Sequence, residues 1–146
     1  MSLNDVIRGA LDTEEKAADS YLHSIRVLRL QGMEVKDLEN VLKKVSIETI
    51  IHKEVVTGLL KAYESALSKE AEVLKDVKEV VPSKLEKMII VKLLKEHLDI
   101  ESEMIKTYKK MAELFNYPVL KSIAEALAKN EEEHHRIIQE LIKKYE

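Results

Sequence analysis

The chain has 146 residues, enough for one domain with a substantial buried core. Leu, Ile, Val, Ala, Lys and Glu dominate, Gly occurs three times and Pro twice, and there is no Cys. That composition favours helices and excludes disulfides, thiolate metal sites and cysteine nucleophiles. The 24 basic and 27 acidic residues leave a net charge of −3, which offers no basic footprint for nucleic acid or an anionic membrane.

No apolar run reaches the roughly 18 residues of a membrane span, and the first residues lack the basic-then-apolar pattern of a secretory signal. A soluble, cytoplasmic protein is the expectation.

The first predicted helix runs from Leu3 to Leu30, with Ser2 and Asp5 as a capping pair and Gln31-Gly32 as the stop. Its inner stripe is Ile7, Ala10, Leu11, Glu14, Ala18, Tyr21, Ile25 and Leu28. Glu14 interrupts an apolar face, which is costly unless something pairs with it. The second helix spans Lys36 to about Leu67. Leu38, Val41, Val45, His52, Val56, Leu59 and Tyr63 form its stripe, flanked by Glu48 and Thr49. Residues 68–82 form a connection, with Val73, Val77 and Val80 spaced for a short extra helix before Pro82 ends it.

Ser83-Lys-Leu-Glu86 is a capping box opening a third helix, from Lys84 to about Phe115. Its stripe of Ile90, Leu94, His97, Glu101, Met104, Ile105, Tyr108, Ala112 and Phe115 carries two polar interruptions, His97 and Glu101. A turn at Asn116-Tyr117-Pro118 starts the fourth helix, which continues to the last residues. At about 100° per residue, Ile123, Leu127, Glu131, His134, Ile138, Leu141 and Tyr145 share an arc of roughly 80°. Glu131 and His134 therefore lie on the apolar face, in the Glu-x-x-His spacing used by metal-carboxylate bundles. The alternative is a solvated charge run around a satisfied histidine.

Counting from the turns brings these interruptions together. Glu14 lies 18 residues before Gly32, with Glu48 and His52 16 and 20 after it. Glu101 lies 16 before Tyr117, with Glu131 and His134 14 and 17 after it. In a helical hairpin each set falls in one narrow layer. The two halves also resemble each other: Glu14 and Glu101 each precede a Tyr by seven residues (Tyr21 and Tyr108), and His52…Tyr63 aligns with His134…Tyr145. The expected fold is all-α, an antiparallel four-helix bundle made of two related hairpins in one domain, 1–146. The direction of the third helix relative to the second stays open.

These motifs resemble the rubrerythrin and ferritin-like di-iron carboxylate family. Glu14-Glu-Lys-Ala-Ala-Asp-Ser-Tyr21 is similar to its first-helix signature, Glu101-Ser-Glu-Met-Ile to its third-helix acid, and Leu127-Ala-Lys-Asn-Glu131-Glu-Glu-His134-His-Arg to its last helix. The resemblance implies a ferritin-like bundle whose core ligands here are Glu14, Glu48, His52, His97, Glu101, Glu131 and His134. One departure is clear: Thr49 stands where the second Glu-x-x-His should supply its acid. Glu48, turned by about 100°, is a shifted substitute, and His97, one turn before Glu101, is a candidate added ligand.

Carboxylate and imidazole donors without thiolate suit one or two iron ions, with manganese or zinc as alternatives. The resemblance implies dioxygen or peroxide reduction, or iron handling. The family's cysteine-rich electron-delivery unit has no counterpart in these 146 residues, so an external electron donor is expected; a homodimer is also compatible. The competing reading is a metal-free bundle serving as a structural or interaction module, with a site degenerate at Thr49. Tyr21 and Tyr108 read as core tyrosines, His23 and Glu132-Glu133 as solvated, and His135 as boundary packing.

Overall fold

The protein is all-α in the computed structural model, which describes residues 1–33, 36–75 and 79–146. Four long helices, α1 (Leu3–Leu30), α2 (Lys36–Val73), α3 (Lys84–Leu114) and α4 (Pro118–Tyr145), are present, and no strand occurs among the described residues. This is the helix content of an all-α four-helix bundle. The helices pair as the sequence predicts, α1 with α2 and α3 with α4, in two compact units, Met1–Val77 and Lys78–Glu146.

Local chemistry explains where the helices begin and end. Ser2 accepts from the Asp5 backbone N–H while the Asp5 carboxylate accepts from the Ser2 backbone N–H. Ser83 and Glu86 do the same for α3. Each box satisfies donors a bare helix end leaves orphaned, a contribution of about 1 kcal/mol. Pro118 opens α4, where its fixed φ fits the first turn and its missing N–H costs nothing. At the end of α1, Gly32 adopts φ +74°. Its N–H reaches the Arg29 carbonyl at 3.0 Å and the Met33 N–H reaches the Leu28 carbonyl at 2.9 Å. This paired closure needs a left-handed residue, which glycine supplies without a Cβ clash.

The second helix is longer than expected. Residues 68–73 continue α2, because Ser-Lys-Glu-Ala-Glu-Val contains no breaker and mostly good helix formers. Val73 thus belongs to α2 and Val80 is non-helical, while Val77 lies outside the described residues. The separate short helix does not form over the described part.

Cross-helix ion pairs set the antiparallel register in each unit. In the first, Arg29 pairs with Glu39 near the turn, Lys53 with Glu15 at 3.6 Å, and Arg8 with Glu64 at 3.0 Å. In the second, Lys109 pairs with Glu132 at 2.8 Å and Lys95 with Glu146 at 3.5 Å. Most of these groups are exposed, so they mark register more than they add stability. Ala18, Ile25, Ser46, Thr49 and Leu60 form the buried seam of the first hairpin, and Glu101, Ala112, Ala124, Ala128 and Ile142 that of the second.

The seams correct two of the predicted stripes. On α2 the face packed on α1 runs through Ser46, Thr49 and Leu60, while Leu38, Val41 and Leu59 of the expected stripe are exposed. On α4 the packed face runs through Ala124, Ala128 and Ile142, leaving Ile123 and Leu127 open. Periodicity locates an apolar arc but not the edge a partner helix takes. The small side chains win the contact edge because they let two helix axes approach.

Candidate metal centre

Glu101 is the most deeply buried acid of the C-terminal hairpin. It sits mid-helix on α3, 3% exposed, on the face turned to α4. One of its oxygens, Oε1, is 3.1 Å from Nε2 of His97, one turn earlier on the same helix. The other, Oε2, is buried and has no hydrogen-bond partner. A buried carboxylate oxygen without a donor costs on the order of 1–3 kcal/mol, so the position calls for a cation.

Two further donors face it from α4. Glu131 and His134 are one turn apart on the helix, with Oε2 and Nδ1 separated by 3.6 Å. One ligand atom each from Glu101, Glu131 and His134 lie within 4.8 Å of one another. Ligand distances near 2.1 Å place donors about 3–4.2 Å apart around an ion, so a small rotamer adjustment completes the gathering. Two carboxylates and a neutral imidazole balance a divalent cation, and this donor set suits iron, manganese or zinc. The residues present fit such an ion.

The C-terminal hairpin therefore brings Glu101, Glu131 and His134 together, with His97 touching Glu101 but outside the three-donor group. His97 and His134 are more exposed than their stripes imply, with side chains at 54% and 47%. They occupy the edge of the apolar arc that the hairpin seam leaves uncovered.

The N-terminal hairpin gathers less. Glu14 Oε1 and His52 Nδ1 approach to 3.7 Å, at the matched heights expected from counting. Glu48 is half-buried and makes no ion pair among the described residues. Thr49 is 6% exposed, and its hydroxyl donates to the Val45 carbonyl of its own helix at 2.7 Å. Ser46 does likewise to Leu42 at 2.6 Å. The layer that should hold the second acid is filled by hydroxyls already satisfied by backbone.

Sequence reasoning missed one contact beside the centre. Ser102 Oγ lies 3.2 Å from His135 Nε2, joining α3 to α4 next to the ligand layer. Ser102 lies 15 residues before Tyr117 and His135 18 after it, so equal counting does not pair them, and a serine gives no signal in an apolar periodicity. His135 is half-buried, in keeping with boundary packing. Glu133 is exposed and held by Arg136, whose hydrogen bonds keep the Glu133 carboxyl below the ordinary range. A cleft of about 790 Å³ at the other end of this hairpin, lined by Lys84, Lys92, Tyr145 and Glu146 among others, contains none of the candidate ligands.

No described helix is long and apolar enough to cross a membrane. No curated protein and no solved structure matches the chain. The rubrerythrin family model does match, over residues 92–146. That span takes in α3 from Lys92 onward and all of α4, and with the four-helix make-up it bears out the resemblance read from the motifs: the stretch carrying His97, Glu101, Glu131 and His134 is similar to the rubrerythrin family.

Proposed function

We propose that this protein binds a redox-capable metal ion, iron first among the candidates, and acts in dioxygen or peroxide reduction or in iron handling. The observation that carries this is the convergence of Glu101, Glu131 and His134 in one layer, with the buried Oε2 of Glu101 left unpaired. The rubrerythrin-family match over the same residues supports the choice of iron. The reading takes 1–146 as one ferritin-like domain, cytoplasmic and served by an external electron donor. Homodimer formation is compatible with it.

Within this reading each residue has a defined task. Glu101 and Glu131 neutralise the cation and His134 supplies the nitrogen donor. His97, when its Nε2 carries a proton, holds Oε1 of Glu101 and so fixes the orientation of that carboxylate in the layer. Iron bound there supplies one-electron chemistry toward dioxygen or peroxide. Glu101 is buried and Glu131 half-buried, whereas the His134 side chain stays accessible, so an exogenous small molecule can reach the site from that edge.

Metal content by mass spectrometry, after expression with iron supplied, tests the proposal, together with stopped-flow oxidation of the ferrous form by peroxide and by dioxygen. Stoichiometric metal and fast oxidation are expected. The satisfied hydroxyl of Thr49 favours a second reading, a metal-free interaction module. Protein that holds no metal and takes none up in the apo form would establish that reading instead.

A further inference from the structure

We infer that the C-terminal hairpin seats a single metal ion by itself, on Glu101, Glu131 and His134, and needs no ligand from the N-terminal hairpin. The inference rests on the metal-binding reading and adds to it the number of ions and the division of labour between the two halves.

The asymmetry is one of charge and of free donors. The C-terminal layer presents two carboxylates and an imidazole, with donor atoms within 4.8 Å of one another. One of those carboxylates is buried and has an oxygen with no other partner. The N-terminal layer presents one carboxylate, Glu14, facing one imidazole, His52. Its second acid is replaced by Thr49, whose hydroxyl proton is committed to the Val45 carbonyl. A neutral, satisfied hydroxyl contributes little to holding a divalent ion. Glu48 is one residue away, about 100° round the helix, and joins no described group of three donors. The pair that remains carries a single negative charge, which leaves a dication half-neutralised.

His97 then has a role without being one of the three ligands. It is a positioning residue on Glu101: its imidazole lies beside Oε1, while the buried Oε2 has no hydrogen-bond partner in the metal-free protein. Such outer partners of metal ligands commonly influence affinity by about 10–100-fold.

The test is an anaerobic titration of the full-length apo protein with Co(II), following its visible absorption and the bound-metal stoichiometry. One tight Co(II) per chain is expected. Glu101→Gln and His134→Ala should abolish the tight phase, with circular dichroism confirming that both variants remain helical. The double variant Glu14→Gln/His52→Ala should keep one tight Co(II) with an unchanged spectrum. His97→Ala should weaken binding by about 10–100-fold while keeping a stoichiometry of one. Two tight ions per chain, or loss of the tight ion in Glu14→Gln/His52→Ala, would overturn the single-ion inference while leaving metal binding intact. No tight Co(II) in the unmodified protein would remove the metal-binding reading and the inference with it.

Discussion

His97 and Glu101, one helical turn apart on α3, divide a single carboxylate. Oε1 lies 3.1 Å from the His97 ring nitrogen, and Oε2 is buried with nothing to accept from. The metal-free protein therefore carries a local penalty at the centre of its second hairpin. Most of the seam around it, Ala112, Ala124 and Ala128, can pack without help.

Replacing Glu101 with Leu should remove that penalty. The metal-free variant is expected to be more stable than the metal-free parent by about 1–3 kcal/mol, a rise of a few degrees in Tm for a chain of this size. Metal should raise the parent's Tm, by about 2.7 kcal/mol of stabilisation at a hundredfold excess over Kd, and leave the variant unmoved. Differential scanning calorimetry with and without metal measures both. A metal-free Glu101→Leu protein that melts well below the parent would show that the carboxylate is satisfied in solution.

Thr49→Val tests whether the N-terminal hydroxyl has a role beyond packing. The Val45 carbonyl loses a side-chain donor but keeps its place in the helix ladder. Urea unfolding should shift by no more than about 1 kcal/mol, and bound metal should be unchanged. A fall in metal content would identify the hydroxyl as part of a site.

Gly32→Ala addresses the turn between α1 and α2. A Cβ at Gly32 meets no neighbouring atom within 4 Å, so crowding is not the issue. Its φ of +74° is, and an L residue held there costs roughly 1–2 kcal/mol. Chemical denaturation should show that loss, while the metal stoichiometry of the other hairpin should not alter.

Asp5 offers a pH measurement. The Ser2 hydroxyl, and secondarily the Ser2 backbone N–H, donate to its carboxylate and hold its pKa below the ordinary value. A depressed carboxylate contributes stability that is present above its unfolded-state pKa and is lost as pH falls through the lowered one. The start of α1 should therefore stay capped through mild acid and fray only below the usual aspartate range. A carboxyl-carbon NMR titration should give a low midpoint for Asp5, moving upward in Ser2→Ala. An ordinary midpoint in the parent would mean that the box does not persist in solution.

Much of this structure was readable from short-range chemistry. The starts of α1, α3 and α4 follow from Ser2, Ser83 and Pro118, because caps and proline act within one turn. The end of α2 was not readable, since no residue between Leu67 and Val73 forbids a helix and its extension depends on continuity alone. Counting from the turns placed Glu14 beside His52 and Glu101 beside Glu131 and His134, because a tight hairpin converts sequence distance into height. What counting cannot supply is rotation, and helical periodicity put Val41 and Leu59 at the core, where the seam instead takes Ser46, Thr49 and Leu60. It also could not tell that His97 touches Glu101 rather than joining the three donors, a difference of a few ångströms between side chains on one face.

Only residues 115–117 separate α3 from α4. Closing so short a loop costs little chain entropy, and chains rich in such local contacts fold on the microsecond-to-millisecond scale. Glu101, Glu131 and His134 meet as soon as that one turn closes and its helices zip together. The ligand layer thus needs only local chain closure, since all three donors lie within the 34 contiguous residues from Glu101 to His134.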